Sequence, residues 1–235
     1  MSQVLNDIHI YEPPIDDGLD IIYQDDDIIA VSKPAGLLSV NGRNPTPENK
    51  LGDSLHSRVM REYPDARVIH RLDMMTSGLM VLGLNAEAHR HISMQFEKRQ
   101  TEKTYIAIIW GIPKGTDGGD SGRVDLPLRC DWERRPRQIV DHELGKSAQT
   151  DWAIAERGTA FGGNTSRLVL KPITGRTHQL RVHMQELGTP ILGDDFYAHE
   201  DAYRASNRLL LHAQDLRLTH PRSDEVLELH APCPF

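Results

Sequence analysis

A single carboxylate with an arginine two residues before it lies in the segment HRLDMMTSG, residues 70–78. The apolar runs ARVIHRL and GLMVLGL on either side predict strands, so Asp73 is expected in a turn between two strands. A side chain at such a strand end is held by rigid elements yet stays open to a ligand, which is where catalytic residues are commonly carried. Aspartate is also a common turn residue with no chemical role. The spacing alone leaves both interpretations of Asp73 open.

The complete segment HRLDMMTSG resembles the active-site motif of the RluA family of RNA pseudouridine synthases, with Asp73 in the place of the catalytic aspartate. KTYIAIIWG (103–111) resembles the family segment that carries the active-site tyrosine, here Tyr105. LKPITGRTHQLRVHM (170–184) resembles the third motif and contains Arg181. Further matches, in the expected order over roughly residues 19–232, are DDDIIAVSKPAGLLSV (25–40), PILGDDFY (190–197) and RLLLHA (208–213).

The resemblance implies an α+β fold with a mixed, largely antiparallel central sheet, flanking helices and an active cleft across the middle. The strand pattern alone supports only a mixed class of α and β elements. Residues 1–18 are acidic and contain two adjacent prolines, so we expect a flexible arm followed by a catalytic domain over 19–235. Because the catalytic motif begins at residue 70, we expect no RNA-binding S4 module of the kind that many family members carry.

The chemistry that the resemblance implies detaches uracil from C1′ of the ribose and rejoins it through C5. This isomerisation consumes no cofactor, and it needs an ionised carboxylate in a pocket that excludes water. Burial raises the pKa of a carboxyl group, and an adjacent arginine lowers it by about 1–3 units. The resemblance accordingly pairs Arg181 with Asp73. Whether Asp73 attacks the nucleoside or removes a sugar proton stays open.

Three other residues receive roles through the resemblance. Tyr105 is expected to stack on uracil and to assist removal of the C5 proton, although a tyrosine at a strand start is often only packing. Arg71 is expected to help a uridine leave its stack, by filling the vacated space or holding a flanking phosphate. Arg176 is expected to support the site or to bind phosphate.

The charge distribution qualifies the acidic total. The formal net charge is −7, whereas RNA-binding surfaces are usually basic. Residues 1–32 hold eight acids and no lysine or arginine, so the remainder has 27 basic and 26 acidic residues. LPLRCDWERRPRQ (126–138) resembles the subgroup that modifies both 23S rRNA and the tRNA anticodon stem-loop. Its expected RNA-binding residues are Arg129, Arg134, Arg135 and Arg137.

The local pattern predicts several elements. Residues 20–32 read as two strands around an acidic turn, and 158–164 as a hairpin turn. Residues 113–122 read as a flexible connection. Three helices are expected: one capped by Asp53 and ending near Tyr63, one capped by Asn85 over 86–98, and one capped by Thr174 or Thr177 and stopped by Gly188.

Other classes of protein are considered beside the synthase. A non-catalytic RNA-binding protein would not need Asp73, Tyr105 and Arg181 together, and a glycoside hydrolase usually needs two carboxylates. A synthase that acts on only one RNA class also stays open.

The histidine and cysteine spacings predict no metal site. The absence of a long apolar run or secretion signal predicts a cytoplasmic protein without a membrane span, which we expect to be monomeric.

Overall fold

The computed structural model describes residues 11–115, 118–161 and 164–235. The four helices in these ranges are α1 (Leu55–Glu62), α2 (Ala86–Glu97), α3 (Gln179–Glu186) and α4 (Glu200–Arg204). The twelve strands are β1 (Ile21–Gln24), β2 (Ile28–Lys33), β3 (Arg67–Val68), β4 (Ser77–Gly83), β5 (Glu102–Trp110), β6 (Ser121–Asp125), β7 (Leu128–Cys130), β8 (Gln138–Val140), β9 (Gln149–Arg157), β10 (Thr165–Pro172), β11 (Leu211–Thr219) and β12 (Val226–His230).

Ten strands form one mixed sheet in the order β1-β2-β4-β11-β5-β10-β9-β6, with β12 beside β11 and β3 beside β4. Its neighbouring strands are antiparallel, except that β4 and β11 run parallel. β7 and β8 form a separate two-stranded sheet. This largely antiparallel sheet with flanking helices confirms the predicted α+β class.

The apolar runs of β2 and β4 are continuous because both faces of these strands are covered. Ile28 and Ala30 of β2 pack in the cluster that contains Ile92 of α2, while Ile29 and Val31 pack in the cluster that contains Val59 of α1. Successive side chains of a strand point to opposite faces, so each helix covers one face. Strands buried on both sides have no polar alternation.

The boundaries of the helices agree with the predicted ones, but two of the three predicted N-terminal caps are wrong. Asn85 caps α2 as predicted, accepting a hydrogen bond from the Ala88 amide. The predicted Asp53 cap of α1 is wrong, because Ser54 accepts from the Ser57 amide instead. Asp53 makes a bidentate ion pair with Arg58, which occupies both of its oxygens at 2.8 Å.

The predicted threonine caps of α3 are also wrong. The helix begins after His178, which has a left-handed backbone with φ of 52° and no side-chain cap. Thr174 donates to Oε1 of Gln179 at 2.6 Å instead. The predicted stop is confirmed, since α3 ends at Glu186 and Gly188 adopts a φ of +74°.

The described part of the predicted arm, residues 11–18, lies against the domain without helix or strand. The Tyr11 hydroxyl donates to the Asp53 carbonyl at 3.0 Å, and Arg58 donates to the Pro14 carbonyl at 2.7 Å. The rest of the predicted arm, residues 1–10, lies outside the described residues, as do parts of the predicted connection (116–117) and hairpin turn (162–163). Strands β9 and β10 do pair antiparallel, as the predicted hairpin requires. Nowhere in the described ranges is there a helix with the length and apolar character needed to cross a bilayer.

The two halves of the sheet meet where β4 runs beside β11. Gly78 is in register with Lys33 on one side and with Ala213 on the other, and Ala213 is in register with Tyr105. A Cβ atom on Gly78 would lie 2.2 Å from the Ala213 carbonyl oxygen, and the φ of Gly78 is +110°. Only glycine permits both the close approach and this backbone conformation.

We therefore expect Gly78→Ala to destabilise the protein by about 2–5 kcal/mol, because it adds steric overlap to backbone strain. The measurement is the free energy of unfolding in urea. Gly119→Ala is the matched control, since a Cβ there would meet no heavy atom within 4 Å. Equal stability of the two variants would contradict this account of the seam.

Candidate active site

The turn that carries Asp73 is fixed at both of its ends. The Asp73 carbonyl accepts a hydrogen bond from the Thr76 amide at 3.1 Å, which closes the turn just before β4. The Met74 carbonyl accepts from the Gly36 amide at 2.9 Å and from Nζ of Lys33 at 2.9 Å. The Asp73 side chain stays half-buried, so it is held in place and still open to a ligand.

Lys33 is a buried lysine beneath this turn. Its Nζ donates to the carbonyls of Pro34, Leu37 and Met74 at 2.7–2.9 Å, and the residue has no exposed surface. Burial lowers the pKa of Lys33 to about 7, although the negative charge of Asp73 acts to raise it. The motifs predict no role for Lys33, although a lysine at the end of the apolar strand IIAVSK could have drawn attention to it.

Tyr105 lies in β5, on the far side of β11 from the Asp73 turn. Burial raises the pKa of the Tyr105 phenol above its ordinary value, and the negative charge of Asp73 raises it further. The fold thus brings Tyr105 and Asp73 close together, although 32 positions separate them in the chain. The role of Tyr105 in uracil binding stays a prediction.

Arg181 has a different partner from the one expected. Its guanidinium forms a bidentate pair with Asp194 at 2.6 and 2.8 Å, and it donates to Asp195 at 2.7 Å. In the described part of the chain it makes no ion pair with Asp73, so the predicted direct pair is wrong. Burial disfavours the charge of Arg181, but Asp194 and the nearby Asp73 raise its pKa above the ordinary value. Asp73 therefore influences Arg181 electrostatically, without a direct ion pair.

Asp194 also shapes the segment that follows it. Its Oδ1 accepts from the amides of Phe196 and Tyr197 at 2.9 and 3.0 Å. Both rings face Arg181, whose Cζ lies 5.1 Å from the ring centroid of Phe196 and 5.2 Å from that of Tyr197. Such contacts favour the charged guanidinium.

His178 completes this group. Its Nδ1 is 2.7 Å from the Tyr197 hydroxyl, and burial lowers its pKa, although Asp73 opposes the shift. A neutral, hydrogen-bonded histidine fits a structural role. The charge of Asp73 therefore acts on Lys33, Tyr105, His178 and Arg181, which defines one site near the centre of the sheet.

The two arginines beside the motifs differ in exposure. Arg71 is exposed, two residues before Asp73, and no acidic partner lies within 4 Å of it among the described residues. Arg176 is half-buried in the loop before α3 and donates to the Ser147 carbonyl at 3.0 Å. Arg71 is free to meet a ligand, whereas Arg176 also holds its loop.

The arginine segment 126–138 forms the β7–β8 hairpin, and its cations are not equivalent. Arg129 is paired with Asp141, and Arg134 with Asp131 at 2.7 Å. Arg135 lies over the ring of the exposed Trp132, and Arg137 over the ring of Tyr197. Their contact with RNA stays a prediction.

The carboxylates Asp25 and Asp27, together with His220, form the one possible metal-binding group among the residues described. Protein donors already occupy it. Asp25 accepts from the Tyr23 hydroxyl at 2.7 Å, and Arg222 donates to both oxygens of Asp27 at 2.6 and 2.7 Å. The donor set fits an ion-pair network, and we assign no metal to it.

The burial of Lys33 predicts a pH dependence of stability. Its ordinary pKa is 10.5 and its pKa in the fold is about 7, so between these values the unfolded chain binds the additional proton. The contribution of Lys33 to the free energy of unfolding is fully present above pH 10.5 and is lost as the pH falls through 7. Urea unfolding of the wild type and of Lys33→Met between pH 7 and pH 10 measures it.

The stability of Lys33→Met relative to the wild type should therefore fall as the pH rises across this window. Lys146→Met replaces an exposed lysine and should show no such trend. A constant difference between Lys33→Met and the wild type would show that the three carbonyl acceptors keep Lys33 protonated.

The chain is similar to known proteins. A family model described as RNA pseudouridylate synthase matches residues 27–186, which include Asp73, Tyr105 and Arg181. Two curated relatives, from Vibrio vulnificus and Escherichia coli K12, are each named dual-specificity RNA pseudouridine synthase RluA. The Vibrio protein is 50% identical over 96% of this chain and 87% of its own length. The Escherichia coli protein is 50% identical over 96% of this chain and 98% of its own length.

Solved structures show the same fold. Human RNA pseudouridylate synthase domain containing 1 superposes with a TM-score of 0.76 at 30% identity, over 95% of this chain and 87% of that one. Human RNA pseudouridylate synthase domain containing 4 gives a TM-score of 0.67 at 25% identity, over 91% and 88%. The motifs, the central mixed sheet and these matches place this chain in the RNA pseudouridylate synthase family, as an isomerase that acts on RNA.

Proposed function

We propose that this chain converts loop uridines of both 23S rRNA and the tRNA anticodon stem-loop to pseudouridine, with Asp73 as its catalytic carboxylate. The observation that carries the proposal is the placement of Asp73 on a clamped turn beside Lys33, Tyr105 and Arg181. Two RNA classes are supported by the dual specificity in the names of relatives 50% identical to this chain. Such an enzyme would work as a monomer in the cytoplasm, where these RNAs are found.

Asp73 is suited to starting the reaction. The fixed turn holds its carboxylate in one orientation, with Lys33 and Arg181 nearby. In one route its oxygen attacks the nucleoside, and in the other it takes a sugar proton. Both routes break the N1–C1′ bond, form the C5–C1′ bond, move a proton from C5 and return one to N1. They need the same ionised carboxylate.

Tyr105 is suited to holding the base. A phenol whose pKa is raised stays protonated at neutral pH, so Tyr105 can donate a hydrogen bond and stack on uracil. To take the C5 proton it must first lose its own, and the negative charge of Asp73 opposes that. The chemistry therefore favours stacking as its main contribution.

Asp73→Asn should keep the fold and RNA affinity while lowering pseudouridine formation at least about 100-fold, because the amide is neither base nor nucleophile at this site. The assay is tritium release from RNA that contains C5-labelled uridine, run separately on an rRNA fragment and an anticodon stem-loop. Asp65→Asn, at an exposed position shortly before the motif, is the control.

Turnover of Asp73→Asn above a few per cent of wild type would remove Asp73 from its assigned role. Release of free uracil by the wild type would indicate a hydrolase, and no release at all a non-catalytic binder. Activity on only one of the two RNAs would restrict the substrate class and leave the chemistry intact.

Arg71 is proposed to assist extrusion of the target uridine. It is exposed beside the Asp73 turn, so its guanidinium can occupy the space that a flipped base leaves or hold the adjoining phosphate. Unstacking costs a few kcal/mol in a structured loop and much less in an unstacked strand.

Arg71→Ala should therefore lower kcat/KM at least about tenfold on a structured stem-loop and much less on an unstructured RNA with the same target sequence. The two substrates are compared in single-turnover assays. Arg67→Ala removes an exposed arginine from the adjacent β3 and controls for the loss of one positive charge. Equal losses on both substrates would rule out a role in flipping.

A further inference from the structure

The tip of the β7–β8 hairpin displays an aromatic ring that packing does not explain. Trp132 is 67% exposed, whereas Trp152 is buried and Trp110 is half-buried. Exposing a large indole loses the favourable burial that normally keeps tryptophan inside. An exposed tryptophan beside arginines is typical of a surface that stacks on nucleobases.

The loop that presents Trp132 is closed by its own hydrogen bonds. The Asp131 amide donates to the Arg137 carbonyl at 2.9 Å, and the Arg134 amide donates to the Asp131 carbonyl at 3.2 Å. The Arg134 guanidinium holds the buried Asp131 carboxylate at 2.7 Å. Trp132 is therefore presented on a braced loop, which lowers the entropy cost of binding through it.

One cation is already stacked on the indole. Cζ of Arg135 lies 5.1 Å from the centroid of the Trp132 ring, and its Nε donates to the Trp132 carbonyl at 3.2 Å. A guanidinium therefore lies over one face of the ring, while 67% of the residue's surface stays exposed. A base stacked on the open face would lie on a ring whose other face carries a positive charge, suited to the adjoining phosphate.

The base of the hairpin is joined to the active site through Tyr197. The Gln138 amide donates to the Tyr197 hydroxyl at 2.8 Å, and Arg137 lies over one side of the Tyr197 ring at 5.4 Å. The same ring contacts the Arg181 guanidinium, which is under the influence of Asp73. Leu128 of β7 and Val182 of α3 share a buried cluster with Tyr197. The hairpin is therefore fixed relative to the catalytic site.

We propose that Trp132, backed by Arg135, is a stacking platform for an unpaired base of the same RNA loop that carries the target uridine. The inference rests on the proposed function and adds a substrate-positioning residue to it. A stacked neighbouring base would hold the loop in an opened conformation while the target uridine enters the site. Trp132 touches no reacting atom, so it should affect substrate binding and leave the chemical step unchanged.

The test compares Trp132→Ala, Trp132→Phe and the control Tyr203→Ala, which removes another exposed aromatic ring, on α4. Pseudouridine formation is measured on a synthetic anticodon stem-loop. Trp132→Ala should raise KM about tenfold with kcat within about twofold, the loss expected when one stacked base is released. Trp132→Phe should retain most of the affinity, because phenylalanine still offers a ring. Tyr203→Ala should match the wild type.

A second readout reports on the ring directly. Adding the stem-loop to the wild type should quench tryptophan fluorescence and shield it from acrylamide, and neither effect should occur in Trp132→Phe. The inference would be overturned if the wild type is active, Trp132→Ala keeps the wild-type KM, and RNA leaves the fluorescence of the wild type unchanged. The proposed function would then still stand. A Trp132→Ala defect seen only on ribosomal particles, not on naked RNA, would also overturn it by indicating a protein partner. An inactive wild type would instead contradict the proposed function.

Discussion

The close approach of β4 to β11 at Gly78 sets the geometry of the whole site. Asp73 lies on the turn that enters β4, and Tyr105 lies on β5, so one intervening strand separates the elements that carry them. A side chain at position 78 would push β4 away from Ala213 and move the carboxylate relative to the phenol. Two side chains about 30 positions apart thus depend on one missing Cβ atom.

The electrostatics of the site rest on buried groups that hold one another. Arg181 and Asp194 are almost completely buried, so removing either partner would leave an uncompensated charge in the interior. Substituting Arg181 would therefore disturb folding before it disturbed the field at Asp73. Lys33 supports the catalytic turn directly, because one of its three hydrogen bonds goes to a carbonyl of that turn. The direct pair of Arg181 with Asp73 that the resemblance implied is replaced by an Arg181–Asp194 pair and by a buried lysine bonded to the Asp73 turn.

The local elements of the fold and the motifs of the site could be predicted from the sequence, but the contacts between distant residues could not. The cap Asn85 and the stop Gly188 could be predicted, because the ends of helices depend on residues that are neighbours in the chain. Asp53 was misplaced as a cap since its true partner, Arg58, offers a stronger bidentate interaction. The partner of Arg181 could not be predicted. Asp194 lies beyond the end of α3, and its distance along the chain implies no contact. Likewise, no pattern in IIAVSKP reveals that three carbonyls surround Lys33.

RNA recognition by an acidic protein is easier to understand once the arginines are sorted by their partners. Arg181 and Arg129 are tied to carboxylates within the fold, and Arg176 donates to a backbone carbonyl. Among the arginines expected to bind RNA, Arg71 and Arg135 are exposed and make no ion pair with an acidic side chain in the described structure. Each exposed and unpaired cation can neutralise one phosphate, which supplies the part of the affinity that depends on salt. Stacking and shape must supply the rest of the affinity, which suits a target presented in an opened loop.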